Sequence, residues 1–377
     1  MSTPWLPLAG VRVVDFSMFV PGPFCSAIFA DLGAEVIKVE APKGDPGRSY
    51  IPVQFNTENR NKRSIAVDLK HKDSAAVVKK LVSRADVVLE GFRPGVAKRL
   101  GIDFDSLSAF CPSLIYCSIS GYGQTGPWRE RPGHDVNYVA AAGGLAYSGQ
   151  WLNPPVRSSL PVADMAGGSF AAIAVLSALH QRNTSGKGAY LDLSLFEAGF
   201  FWAAMRHSLD KDVDPRAHLF PVNDVFETKD GKRLTLGVLE EHFWQSFTRV
   251  VPGFEDAAFS SDRKRRENGD ALSGLLKKAF LQKTADEWVR LLEENDIPVD
   301  LCVTPAEAAL TNKQLRERGA VTKGFATFPV FANGARAGSI RAGVPGLGEH
   351  TREILVELGF DDGDIAGLVA AGSVRQA

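Results

Sequence analysis

Cysteine is scarce in this chain of 377 residues: Cys25, Cys111, Cys117 and Cys302 are spread widely and form no Cys-x-x-Cys pair. That excludes zinc-finger spacing and a disulfide framework, and leaves buried free thiols in a reducing compartment. A surplus of either charge is missing too, with 43 basic against 44 acidic residues and a net charge of −1. General nucleic-acid binding needs a basic surplus to neutralise phosphates, so nucleic acid is not an expected partner. Long apolar runs are absent. The best of them, residues 166–179, is interrupted by Gly167, Gly168 and Ser169 and is too short to span a bilayer. The first residues lack a basic stretch followed by an apolar one, so no secretory signal is expected; the expected location is the cytoplasm, with no membrane partner. Internal repeats and low-complexity tracts are missing as well.

What remains is a globular composition, 45% hydrophobic and 23% charged, in a chain long enough for two domains. The first third alternates short β-branched runs with helical stretches. Val11–Phe16, Glu35–Glu40, Ser64–Leu69, Asp86–Phe92 and Leu114–Ser120 read as buried strands, with helices at Phe24–Leu32 and Asp73–Ser83 between them. Such alternation predicts an α/β fold with a doubly wound parallel sheet. Long helices rich in small residues follow at Val136–Ala146 and Met165–Gln181, then a strand-to-helix unit over Tyr190–Ala204. Polar residues and two prolines make Lys211–Pro221 a linker. Beyond it, Asp230-Gly231-Lys232 marks a hairpin, and helices are expected at Glu241–Val250, Ala271–Leu281 and Thr284–Asn295. The expected organisation is a large domain over 1–210 with a C-terminal return at 330–377, and a smaller α+β domain over 211–329.

Gly121-Tyr-Gly-Gln-Thr-Gly126 satisfies the dinucleotide-binding glycine pattern after a strand, but Pro127 and Trp128 follow where an apolar helix should begin. No second strand ends in an acid about 20 residues on, so a nicotinamide or flavin site is not supported. Lys70, Arg93 and Arg99 fall at the carboxyl ends of expected strands, where open α/β sheets bind ligands; cations there suit phosphates, as they also suit a solvated surface. Asn61, Lys62 and Arg63 enter the third strand. His134 and Asp164 each open a helix. Either is an ordinary helix-start residue, yet together they can place a base on each face of one carbon. Glu240 either orients the histidine or is a plain helix-start acid. No metal-ligand cluster is evident.

Asp31 to Glu40, Gly44 to Arg48, Asn61 to Ile65, Gly95 to Gly101, Gly121 to Pro127, Thr184 to Gly188 and Leu347 to Thr351 together resemble the superfamily of family III CoA-transferases and α-methylacyl-CoA racemases, in order and over essentially the whole chain. The resemblance implies a Rossmann-like large domain that binds coenzyme A, a small domain, and an interlocked homodimer. It implies that Lys70, Arg93 and Arg99 help hold CoA with Asn61, Lys62 and Arg63 nearby, that Gly121–Gly126 borders the acyl site, and that CoA enters as part of an acyl-CoA substrate with no tightly bound cofactor. His134-Asp135 and Glu240 are similar to the racemase branch, where the histidine pairs with the carboxylate matching Asp164 in 1,1-proton transfer. In the transferase branch that carboxylate instead attacks the thioester, giving an anhydride and then an enzyme–CoA thioester. One departure keeps the transferase alternative open: racemases resembling this group carry Leu-Asp-Gly-Gly-Ala-Pro where this chain has His218-Leu-Phe-Pro-Val-Asn-Asp224. A non-catalytic acyl-CoA-binding protein is the third reading.

Overall fold

The structure, a computed structural model, describes residues 4–146, 149–154, 156–206, 209, 214 and 216–377. Two compact units emerge. The first comprises residues 1–142, 159–202 and 313–377 and is built on a seven-stranded sheet. Its strands are β1 (Arg12–Asp15), β2 (Glu35–Glu40), β3 (Lys62–Val67), β4 (Val87–Glu90), β5 (Ile115–Ser120), β6 (Ala189–Ser194) and a C-terminal β10 (Val374–Arg375), in the order β10-β3-β2-β1-β4-β5-β6. All neighbours run parallel except β10, which lies antiparallel on β3. β-Branched residues buried on both faces make these strands, as a sheet sandwiched by helices requires. The order reverses between β1 and β4, so the β1 and β4 loops flank the crevice where doubly wound sheets take ligands.

The helices that matter for the site are α1 (Pro21–Asp31), α2 (Pro52–Asn59), α3 (Ser74–Val82), α4 (Asp135–Ala141), α5 (Val162–Ser185) and α6 (Leu195–Ala204). Helix α5 is longer than the sequence pattern implied. At 24 residues it has the length and hydropathy to cross a bilayer, but half of its most apolar stretch is buried inside the protein. Two glycines explain its packing as a core helix. A Cβ on Gly168 would sit 2.7 Å from the Pro21 carbonyl oxygen, and one on Gly167 would sit 2.3 Å from Leu195 Cδ2. Only the absence of side chains lets α5 lie so close to the start of α1.

The second unit comprises residues 143–158 and 203–312. Its three-stranded antiparallel sheet joins β7 (Asn223–Glu227), β8 (Arg233–Gly237) and β9 (Val299–Leu301), with α7 (Glu241–Val250), α8 (Gly269–Phe280) and α9 (Ala285–Glu293) around an aromatic core that includes Phe226, Trp244, Phe247 and Phe280. These boundaries differ from the sequence expectation in three places, the second unit also taking in residues 203–210 of the expected large domain. The return to the first unit comes at Lys313 rather than 330, and residues 143–158 belong to the second unit. Trp151 accounts for the latter: its backbone N–H donates to Asp224 at 2.9 Å and its indole N–H to Asp270 at 2.8 Å, while Gly269 leaves room for its ring. Residues 211–213 and 215 of the expected linker lie outside the described residues.

Candidate active site

Buried charge collects beneath the start of α1. Asp15, at the end of β1, accepts hydrogen bonds from the Ser17 amide at 2.9 Å and the Ser26 hydroxyl at 2.5 Å, and Lys62 Nζ stands 3.4 Å away. Burial alone would raise this carboxyl, yet Lys62, Lys38 and the two serine hydroxyls hold it below its ordinary value. Lys62 also donates to the Pro23 carbonyl at 3.0 Å and to Asn59 at 2.9 Å, and burial pulls its ammonium down to about 8. Lys62 is therefore a strut from β3 to the start of α1. Its neighbours are committed as well. Asn61 donates to Asp31 and to the Ser339 carbonyl and accepts from the amides of Arg341 and Ala342. Its φ of +63° is a left-handed turn that asparagine tolerates. Arg63 pairs with Glu35, Glu353 and Glu357 at 2.8–2.9 Å. The three basic-cluster side chains hold the chain's own carboxylates and carbonyls.

His134 and Asp164 come from two helix starts that one side chain ties together. His134 is exposed at the N-cap of α4, its amide donating to Asn137 Oδ1 at 3.0 Å. Next to it, buried Asp135 turns the other way, and its Oδ1 accepts from the amides of Ala163 at 2.7 Å and Asp164 at 3.3 Å. Those amides are orphan donors of the first turn of α5, so Asp135 satisfies them and pins that turn beside α4. Shielding from water, and then the Asp135 charge, push the Asp164 carboxyl up to about 7. It divides between acid and base near neutrality.

Tyr138, one turn along α4, packs between two glycines. A Cβ on Gly121 would lie 2.5 Å from its hydroxyl, and one on Gly133 would lie 2.6 Å from its ring, while the hydroxyl donates to the Gly133 carbonyl at 2.6 Å. Burial, followed by the charge on Asp164, raises that phenol to about 12, and Arg93 works against the rise. The glycine run is thus a seat for an aromatic ring, with Tyr122 meeting Tyr138 edge-on at 5.2 Å. It brings Gly121 to the Asp164 neighbourhood.

Arg93 follows β4 and Arg99 ends the short helix Val96–Arg99; both are exposed. Lys70 borders a cavity of about 210 Å³ at the carboxyl ends of β1 to β4, walled by Phe16, Met18, Val39, Leu69 and Phe92. Glu240 is exposed at the start of α7 in the second unit, whereas His134 and Asp164 belong to the first.

Sequence patterning passed over Asp135 as a bridge, Tyr138 as the reason for the glycines, and Glu58, a buried acid of α2. The signal for Asp135 was present: a carboxylate directly after a candidate base, at the first position of a helix.

The strand order 3-2-1-4-5-6, with helices on both faces of the sheet, defines a doubly wound α/β protein. The chain belongs to CoA-transferase family III, whose profile it matches over residues 8–351. An acyl-CoA transferase of Fusarium pseudograminearum is 35% identical, over 95% of this chain and 86% of that protein. The α-methylacyl-CoA racemase of Mus musculus is 32% identical over 95% of each. The crystal structure of a CAIB/BAIF family protein from Brucella suis superposes with a TM-score of 0.84 at 29% identity, covering 93% of this chain and 99% of that one. The family thus holds both chemistries, and its members set the fold and the acyl-CoA context without separating them.

Proposed function

We propose that this chain is an α-methylacyl-CoA racemase working by 1,1-proton transfer at the carbon alpha to the thioester. The observation that carries the reading is the Asp135 bridge, which seats the Asp164 helix start against that of His134; burial first, and then the Asp135 charge, raises the Asp164 carboxyl to about 7. Ionised Asp164 takes the α-hydrogen as a proton from one face: the C–H bond breaks, an O–H bond forms, and the electron pair moves into an enolate. Protonated His134 returns a proton to the other face, so its N–H breaks as the new C–H forms. Reversal, or exchange with water, resets the pair. A general base with a pKa close to the working pH is the efficient choice for such a transfer. Lys70, Arg93 and Arg99 hold the phosphates of CoA in this reading, with the apolar cavity beside Lys70 taking a flat part of the nucleotide. The chain works as a homodimer, a reading supported by the apolar side chains that α5 and α6 leave exposed, among them Ile173, Phe200, Phe201 and Trp202.

The test is deuterium exchange at the α-carbon of a 2-methylacyl-CoA in heavy water with no acceptor acid. Exchange is expected, falling at least about a hundredfold in His134→Ala and in Asp164→Asn. Absence of exchange, with CoA moving to a free carboxylate and hydroxylamine capture at Asp164, would overturn the reading. That outcome is the transferase alternative, in which Asp164 is the nucleophile, and the 35%-identical acyl-CoA transferase is the observation in its favour.

A further inference from the structure

Glu58 stands apart from the other acids around the start of α1. Asp15, Asp31, Glu40 and Asp45 are all buried, and each meets a cation: Lys62, Arg60, Arg48 and Lys38 respectively. Glu58 lies in the last turn of α2, only 5% exposed. Gln54 donates to its Oε1 at 3.1 Å, but its Oε2 is buried with no hydrogen-bond partner among the described residues. The elements packed around it contribute three charged groups: Lys62 of β3, Lys38 of β2 and Asp164 of α5. Burial dominates and pushes the carboxyl up to about 8; the lysine charges oppose that rise and the Asp164 charge adds to it. At neutral pH Glu58 is therefore largely a carboxylic acid, and an acid needs an acceptor for its proton.

The packing sets that group and Asp164 about the start of α1. Gly168, one turn along α5 from Asp164, packs so close to the Pro21 carbonyl that a Cβ there would lie 2.7 Å from it, and Lys62, whose charge acts on Glu58, reaches the Pro23 carbonyl at 3.0 Å. Asp164 and Glu58 thus flank the start of α1 from α5 and α2. A buried polar atom without a partner beside a reactive carboxyl is a feature to be met by a ligand.

We propose that Glu58 is a specificity-determining residue of the Asp164 site, its carboxyl hydrogen-bonding an oxygen carried by the acyl group. The chain then takes 2-methylacyl thioesters bearing a hydroxyl or a carboxylate in preference to plain hydrocarbon ones. This inference rests on the acyl site proposed at Asp164, and names its substrate class. A pocket that pairs a substrate oxygen rejects the analogue lacking it more strongly than an apolar pocket separates hydrocarbons.

The experiment compares dissociation constants of 2-methylbutanoyl-CoA, its 3-hydroxy derivative and 2-methylsuccinyl-CoA for the wild type, Glu58→Gln and Glu58→Leu at pH 7. At least one oxygenated thioester should bind the wild type about tenfold or more tightly than the hydrocarbon. Which one does so distinguishes a hydroxyl from a carboxylate. Glu58→Gln, still a donor, should keep most of the preference; Glu58→Leu should abolish it while hydrocarbon binding changes by less than about twofold. Equal wild-type affinities, or a preference surviving Glu58→Leu, would mean that a buried water alone fills the position, and would overturn the proposal. If Glu58→Leu does not fold, the wild type at about pH 9.5 provides the same loss of donor, and its preference must fall while that of Glu58→Gln persists. Retention of α-hydrogen exchange in Asp164→Asn would refute the base assignment separately, because the binding comparison needs no catalysis.

Discussion

Replacing Asp135 by asparagine isolates what the bridge between the two helix starts contributes. The amide keeps an acceptor oxygen of the same shape for the Ala163 and Asp164 amides, at 2.7 and 3.3 Å in the wild type, but removes the negative charge. Hydrogen bonds to charged groups contribute about 1.5–3 kcal/mol against about 0.5–1.5 for neutral ones, so stability should fall by about 1 kcal/mol. The electrostatic effect is the more diagnostic. Asp164 stands at about 7 because of shielding from water first and the Asp135 charge second. Asparagine leaves the first cause and deletes the second, so the Asp164 carboxyl should drop and still remain above its ordinary range. The rate of α-deuterium exchange, followed by proton NMR from pH 5 to 9, should therefore keep its acid limb but shift it to lower pH. Its plateau should also be lower, since a less basic carboxylate abstracts a proton more slowly. An acid limb that stays in place or moves upward, in a variant with an unchanged circular dichroism spectrum, would refute the coupling of Asp135 to Asp164.

Two further outcomes follow from the packing and the charges. Gly121→Ala places a Cβ 2.5 Å from the Tyr138 hydroxyl and should cost about 1–3 kcal/mol by chemical denaturation. Combined with Tyr138→Ala it should cost clearly less than the sum of the two single changes, and strict additivity would rule out the contact. The Asp164 carboxyl is raised in the folded chain, so the stability linked to it is fully present below its ordinary value near 4 and is lost as pH rises through about 7. Asp164→Asn should accordingly melt a few degrees above the wild type at pH 8, with the gap closing toward pH 4. A gap that widens on acidification would contradict the raised value.

The sheet was legible because its strands are continuous β-branched runs punctuated by glycine and polar turns, a local signal that survives without knowledge of the tertiary structure. Helix α5 was under-measured because Gly167, Gly168 and the polar residues at its ends lower its apolar density, whereas contact with Pro21 and Leu195 rewards those same glycines. His134 and Asp164 read from the sequence as two helix starts; that those starts abut depends on a bond from Asp135 to residues 28 and 29 positions away, which no local pattern records. The basic run Asn61-Lys62-Arg63 reads in the sequence as a free cationic cluster, for the same reason. In the structure its side chains meet Asp31, Asp15 and acids as much as 294 residues distant. Glu58 was invisible because helical spacing assigns an acid between Thr57 and Asn59 to solvent.

The antiparallel strand β10 has a consequence for how the chain is made. It covers the outer edge of β3, and Arg63 at the start of β3 is gripped by Glu353 and Glu357 of the helix Thr351–Glu357. During synthesis the earliest strands therefore leave the ribosome with one rim of amides and carbonyls bare, and an arginine without its acids, until the last part of the chain arrives. A nascent chain stalled before that point should be the form that sticks to its neighbours.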